Sequence, residues 1–180
     1  MTHRSTSGAR WNIGAHSAYG QRPNNEDQYG WAEFATADGR QALLLLVADG
    51  VGGQSGGERA SYLAKEAVLG ATSGGGAVAS ELPAALVEAF ALANEQICQE
   101  AASIPGRQGM ATTCTAAVLV GERLHLAHVG DTRLYLIRHG AAHQLTIDHT
   151  WAEEAIAAGR NPIEVHDNPN RGVLTRYLGN

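Results

Sequence analysis

Acidic side chains and one arginine occur in three short polar segments, each next to an apolar run of the chain. They are Arg22, Glu26 and Asp27 in RPNNED, Asp49 and Gly50 in ADGVGG, and Asp131 in HVGDTR. Oxygen ligands are those that hard cations such as Mg²⁺ and Mn²⁺ prefer, and the forked guanidinium of Arg22 suits a phosphate group. Each segment alone also resembles an ordinary loop. Three acidic segments at the ends of predicted strands together predict a cation site.

Other kinds of site have weaker support in the sequence. The glycine-rich segment 50–57 could cradle a nucleotide phosphate, but it lacks the GKS or GKT ending of a P-loop and the GxGxxG spacing. Eight histidines could indicate zinc, yet His125 and His128 are three apart in a predicted strand and so point to opposite faces. We interpret these histidines as solvated surface groups. Ser61 shows no nucleophile elbow, so nothing supports a Ser-His-Asp enzyme.

The composition indicates one domain and argues against several classes of partner. The chain has 180 residues, 44% of them apolar, and a formal charge of −5. A nucleic-acid binder would need a basic patch, so we expect no nucleic-acid partner. Cys98 and Cys114 form no CxxC pair, which favours free thiols in a reducing cytosol. No signal peptide is visible and the longest apolar run, residues 42–48, is too short to span a bilayer. We expect a cytoplasmic protein with no membrane partner.

The apolar pattern predicts strands and helices around the three polar segments, after a flexible tail over residues 1–10. The predicted strands cover residues 11–17, 28–36, 41–48, 111–120, 123–129 and 133–138. The predicted helices cover residues 60–68, 81–102 and 149–159, and the rest of the C-terminal part is irregular. Ser80 is expected to cap the second helix, with Pro83 in its first turn. This order of elements predicts an α+β fold in which helices cover the sheets.

Taken together and in order, these segments resemble the PPM-type, or type 2C, metal-dependent protein phosphatases. RPNNED is similar to the family's first motif, and VADGVGGQSGGERAS is similar to its second. GMATTCTAAVLV, HVGDTRLYLIRHG, LTIDHT and LTRYLG resemble four later motifs, with Thr132 in place of the usual Ser. The matches span residues 22–179, which is nearly the whole chain.

The resemblance implies an αββα sandwich, in which two antiparallel β-sheets are flanked by helices. Residues 11–180 would be a catalytic domain without its C-terminal strands. By this resemblance, Arg22 would bind the phosphate, and Asp49 would bridge two metals. Glu26 would contact one metal through water, with Asp27 as its structural neighbour in the metal site. Gly50 would supply a carbonyl ligand, and Asp131 would bind a third metal. Arg22 and Asp49 are the implied catalytic residues.

The implied activity is hydrolysis of phosphoserine and phosphothreonine on proteins. Two Mn²⁺ or Mg²⁺ ions, with a looser third, would lower the pKa of a shared water so that hydroxide attacks phosphorus. The metals and Arg22 would stabilise the charge on the phosphoryl oxygens. The expected partners are a phosphorylated protein and a Ser/Thr kinase that acts on the same targets.

One departure from the family leaves an alternative open. The family continues beyond the LTRYLG-like segment with a GD segment, an SDGL-like segment and a DN pair, which supply further metal aspartates. Asp167, in VHDNPN, matches none of these. We therefore expect the 180 residues alone to bind Mn²⁺ weakly and to hydrolyse p-nitrophenyl phosphate little. The alternative is a catalytically silent, phosphatase-like binding or regulatory module.

Overall fold

The structure is a computed structural model that describes residues 3–4, 11–51, 56–74 and 76–180. Its strands are β1 (His3–Arg4), β2 (Gly14–Ala15), β3 (Asp27–Ala35), β4 (Gln41–Val51), β5 (Ala111–Thr112), β6 (Cys114–Val120), β7 (Arg123–Val129), β8 (Tyr135–Arg138) and β9 (Ala141–Gln144). Its helices are α1 (Gly56–Ser73), α2 (Leu82–Ser103), α3 (Trp151–Ala157) and α4 (Pro162–His166). Within the described residues, none of the helices combines the length and the apolar character that crossing a bilayer requires.

An antiparallel sheet with the strand order β3-β4-β6-β7 forms the centre of the fold, and β5 pairs with the end of β4. The apolar run of the sequence is β4, which lies between β3 and β6, and this central place explains why both of its faces are apolar. The register places Asp27 of β3 opposite Asp49 of β4. Opposite residues of an antiparallel pair project to the same face. The two carboxylates therefore lie side by side at one end of the sheet.

Helices α1 and α2 cover one face of this sheet. Their buried residues recur at the spacing of a single helix face: Ala60, Ala64, Ala67 and Val68 on α1, and Leu82, Leu86, Ala89, Ala93 and Ile97 on α2. They form one core with alternate residues of β4 and β6, among them Leu44 and Val118. Burial of these apolar stripes stabilises both helices more than helix propensity does.

The other face of the sheet is apolar but more exposed. Tyr29 and Trp31 of β3 lie with nearly parallel rings, 6.3 Å between centroids, and Val47 of β4 is 48% exposed. The hairpin of β8 and β9 and the pair of β1 and β2 form two separate two-stranded sheets. Antiparallel sheets with flanking helices confirm the predicted α+β class.

Two predicted strands are shorter or interrupted in the structure. The strand predicted over residues 11–17 is reduced to β2, and the strand predicted over residues 111–120 is broken at Thr113 into β5 and β6. The break has a local cause, because the Asp49 N–H donates to the Thr113 hydroxyl at 3.0 Å, whereas a regular ladder would use the Thr113 carbonyl. The chain thus leaves regular pairing at the point where it supports an acidic residue of the cleft described below.

Three further expectations concern the termini of elements. The prediction that Ser80 caps α2 is wrong, because Glu81 holds the N-cap position and its side chain accepts no hydrogen bond from the helix. The prediction that Pro83 lies in the first turn is confirmed. The C-terminal part, predicted to be irregular, contains the short helix α4. The predicted flexible tail lies outside the described residues except for His3–Arg4, which pair with β2.

Candidate metal and phosphate site

A cleft of about 540 Å³ opens at the end of the sheet where β3 begins and β4 ends. Its lining includes four of the residues predicted from the sequence: Arg22, Glu26, Asp27 and Asp49. Much of the remaining wall comes from the turn before β3, which is folded by a hydrogen bond from the Arg22 N–H to the Tyr19 carbonyl at 3.1 Å. One arginine and three acidic residues therefore line the same cleft.

Two buried threonines fix the backbone of Asp49. The Asp49 N–H donates to the Thr113 hydroxyl at 3.0 Å, and the Thr112 hydroxyl donates to the Asp49 carbonyl at 2.9 Å. Both threonines are 0% exposed. Because these bonds satisfy the backbone of Asp49, its carboxylate is left for the cleft.

The pKa of Asp49 is raised to about 6, mainly by burial and then by the nearby carboxylates of Asp27 and Asp131, against the opposing charge of Arg22. The carboxyl group of Asp27 also favours the protonated form of Asp49, because a protonated Asp49 can donate to it. A carboxylate with a raised pKa marks a place where a cation would replace a proton.

Glu26 lies between the end of β4 and the start of α1. Its carbonyl accepts from the Gly50 N–H at 3.1 Å and from the Ser61 hydroxyl at 2.6 Å. A Cβ on Gly57 would stand 2.8 Å from the Glu26 Oε2 atom, so this carboxylate rests against the first turn of α1. The positive end of a helix dipole stabilises a negative charge there.

Gly50 allows β4 to approach α1 closely. A Cβ on Gly50 would lie 2.2 Å from the Gly57 carbonyl oxygen and 2.9 Å from the Glu26 carbonyl oxygen. No side chain fits in that space. Gly50 and Gly57 therefore bring strand, helix and carboxylate together, and residues 52–55 lie outside the described part of the chain.

Asp131 belongs to the loop of residues 130–133, which follows β7 and is called here the Asp131 loop. Its side chain is exposed, and its charge acts on Asp49, although it is not among the residues that line the cleft. Gly130 has φ +102°, and a Cβ there would lie 2.5 Å from the Thr113 side chain. The residue that holds Asp49 is thus also packed against the Asp131 loop.

The donor set fits a hard divalent cation. Every predicted ligand offers oxygen, as Mg²⁺ and Mn²⁺ prefer. The raised pKa of Asp49 reflects burial and then neighbouring negative charge, which a cation would neutralise. Within the described residues, no three Asp, Glu, His or Cys side chains converge on one point. A cation held here would take its other ligands from backbone carbonyls and water.

Two histidines form part of a polar network beside the Asp131 loop that the sequence analysis missed. His128 and His125 point to opposite faces, as predicted, because they pair with Thr115 and Val118 of β6. The interpretation of His128 as solvated is wrong, because His128 Nδ1 lies 2.8 Å from the Thr115 hydroxyl and its Nε2 lies 3.1 Å from the Ile147 carbonyl. Burial lowers the pKa of His128.

The second histidine, His149, stacks on His128 with 4.9 Å between ring centroids. Burial lowers its pKa, and the charge of His128 lowers it further. The sequence signal available for His128 was its position two residues after Leu126 in β7, which places both side chains on the same face of the sheet. No such pattern marks His149, which lies in a loop.

Comparison with known proteins identifies the same family that the sequence motifs resemble. Residues 14–157 match the family model described as "Protein phosphatase 2C". The serine/threonine protein phosphatase PstP of Mycobacterium tuberculosis is 38% identical over 160 residues, which are 87% of this chain and 29% of PstP. The serine/threonine phosphatase stp of Listeria welshimeri is 32% identical over 161 residues, which are 88% of this chain and 62% of stp.

A solved structure extends the comparison to three dimensions. The crystal structure of the catalytic domain of the phosphatase PstP in complex with two manganese ions matches with a TM-score of 0.66 at 32% identity, over 99% of this chain and 65% of that one. The chain thus spans less than two thirds of the length of each of these relatives.

Proposed function

We propose that this chain, which belongs to the protein phosphatase 2C family, provides part of a metal-dependent phosphatase acting on phosphoserine and phosphothreonine in proteins. The observation that carries the proposal is the cleft in which Arg22 lies beside Glu26, Asp27 and Asp49. A guanidinium can bind two oxygens of a phosphate at once. The carboxylates supply the negative charge that holds divalent cations next to it.

Each predicted site residue has a part in this proposal. Mn²⁺ or Mg²⁺ would be held by Asp49 and Asp27, by Glu26 through water, by the Gly50 carbonyl and, for a third and looser ion, by Asp131. When bound, such ions lower the pKa of water and neutralise phosphoryl charge. Below about pH 6, where Asp49 is protonated, a cation would have to displace this proton in order to bind. Arg22 orients the phosphate and offsets its charge.

The identity of the partners belongs to the same proposal. The relatives are by name serine/threonine protein phosphatases, and a phosphorylated protein is the substrate that such an activity requires. A Ser/Thr kinase with the same targets and a cytoplasmic location complete the proposal.

Phosphate release from a phosphothreonine peptide, measured with Mn²⁺ and again with EDTA, tests the proposal. We expect slow release that depends on Mn²⁺, is lost in Asp49→Asn and is retained in Asp38→Asn, a change at the far end of β4. Binding of Mn²⁺ by calorimetry without hydrolysis of either the peptide or p-nitrophenyl phosphate would instead indicate the silent binding module. Absence of Mn²⁺ binding would contradict the metal site itself.

A further inference from the structure

A bidentate ion pair ties the Asp131 loop to a second segment of the chain. The Arg133 Nε donates to the Asp148 Oδ1 at 2.8 Å, and the Arg133 Nη2 donates to the Asp148 Oδ2 at 2.6 Å. The Asp148 side chain is only 10% exposed, although that of Arg133 is 46% exposed. The hydrogen bonds to Asp148 raise the pKa of Arg133 above its ordinary value. Paired N–H···O bonds fix the relative orientation of the two groups as well as their distance.

Backbone bonds join the same two segments on the other side of Asp131. The His149 N–H donates to the Gly130 carbonyl at 2.7 Å, and the Gly130 N–H donates to the His149 Nδ1 at 3.2 Å. The next residue of the Asp131 loop, Thr132, has its hydroxyl 2.7 Å from that of the buried Thr115. The neighbours of Asp131 on both sides are therefore held by residues distant in sequence.

We propose that Arg133 and Asp148 are positioning residues that hold Asp131 at the cation site. The inference rests on the proposed function, because it takes Asp131 to be a ligand of the third ion. Neither residue needs to touch the ion. Groups that orient a ligand in this way typically change metal affinity by about 10–100-fold when they are removed.

Electrostatics alone predicts the opposite effect for one substitution. Arg133 carries a positive charge near the acidic site, so its removal would by charge alone strengthen cation binding. Loss of positioning would weaken it. The double variant Arg133→Ala with Asp148→Ala decides between the two effects, because it keeps the net charge of the wild type and lacks the Arg133–Asp148 ion pair.

The experiment is a calorimetric Mn²⁺ titration of the full chain, accompanied by thermal unfolding in EDTA. The variants are Arg133→Ala, Arg133→Lys and the double variant, with Arg138→Ala as the matched control, since Arg138 is exposed on the nearby strand β8. Asp131→Asn reports on the ligand itself. We expect Arg133→Ala and the double variant to weaken the looser Mn²⁺ step by about tenfold. Arg133→Lys should also weaken it, because lysine keeps the charge but not the fork, while the control should leave it unchanged.

The outcomes distinguish the role of the Arg133–Asp148 ion pair from the role of Asp131 itself. If Asp131→Asn leaves Mn²⁺ binding unchanged, the proposed role of Asp131 is wrong. If Asp131→Asn weakens binding but the double variant binds Mn²⁺ as the wild type does, the positioning role is wrong. Arg133→Ala leaves the largely buried Asp148 without its ion-pair partner, and this change can unfold the loop. The double variant removes both charges, so a wild-type melting temperature together with weakened Mn²⁺ binding supports positioning rather than loss of fold.

Discussion

Replacing Asp49 by asparagine should stabilise the metal-free protein while abolishing its response to Mn²⁺. The side chain keeps its size and can still hydrogen-bond Asp27, but it can no longer carry a negative charge. In the wild type that charge lies in a half-buried place beside Asp27 and Asp131. Removing it relieves repulsion in the metal-free state and removes the proposed bridging ligand in the metal-bound state.

The size of the stabilisation follows from the pKa of Asp49, which rises from 3.8 to about 6. A shift of about two units corresponds to about 3 kcal/mol, at about 1.4 kcal/mol per unit. Because solvent screens a group that is only half-buried, we expect a gain of about 1–2 kcal/mol in the free energy of unfolding. An acid whose pKa is raised on folding destabilises the folded state fully above about pH 6 and not at all below pH 3.8. The gain should therefore shrink as the pH falls.

Urea denaturation in EDTA at about pH 7.5 and again at about pH 4.5 measures this gain and its pH dependence. Asp38→Asn is the matched control, because the same chemical change at the other end of β4 should destabilise the protein. The Asp38 carboxylate accepts from the Thr36 hydroxyl at 2.6 Å and from the Ala79 N–H at 3.0 Å. Mn²⁺ should raise the melting temperature of the wild type and of Asp38→Asn but not that of Asp49→Asn.

Two results would refute this reasoning. If Asp49→Asn loses stability as the control does, the carboxylates around it are not in net repulsion and the cluster is held by its hydrogen bonds. If its melting temperature still rises with Mn²⁺, Asp49 is not a ligand that the cation needs.

Three further predictions concern Arg22 in the cleft, Gly130 in the Asp131 loop, and Asp38 in the turn between β3 and β4. Arg22→Ala should weaken phosphate binding by about 10–100-fold, the worth of a charged hydrogen-bonded contact, without changing Mn²⁺ affinity, and calorimetry with each ligand separates the two. Gly130→Ala should destabilise the protein by about 2–4 kcal/mol through backbone strain and a clash with Thr113; Gly121→Ala, with φ +59° and open space around it, should have a smaller effect in the same denaturation assay. The hydroxyl of Thr36, with the Ala79 N–H, lowers the pKa of Asp38. The charged Asp38 therefore stabilises the fold above its ordinary pKa, and this stabilisation is lost as the pH falls through the lowered pKa. The wild type and Asp38→Asn should become equally stable in acid, and a difference in stability that stays constant with pH would contradict this.

The acidic residues of the cleft could be predicted from the sequence because each stands at the end of an apolar run. The strand β4 is such a run, and its central place in the sheet follows from apolar residues on both faces. Its last polar residue must then emerge at the end of the sheet, which is where Asp49 lies. The helical stripes of α1 and α2 were predictable for the same reason, since periodic burial leaves a periodic pattern.

The polar network beside the Asp131 loop could not be predicted, because it depends on pairing across strands. Thr115 meets His128 only in the observed register of β6 and β7. Arg133 and Asp148 are 15 residues apart and meet because the hairpin of β8 and β9 returns the chain to its starting point. Sequence periodicity describes which face a residue occupies and not which residue stands opposite it.

The glycines around the site act through the space they leave empty rather than through flexibility. Gly50 leaves room for the Gly57 carbonyl, so that β4 and α1 meet with Glu26 between them, and Gly130 leaves room for the side chain of Thr113. Thr113 in turn binds the backbone of Asp49 on both sides, through its hydroxyl and its N–H. One buried threonine thus contacts the strand end that carries Asp49 and the loop that carries Asp131. Because the spacing between these two carboxylates depends on packing at Thr113, a side chain added at Gly130 should disturb both carboxylates, whereas one added at Gly121 should disturb neither.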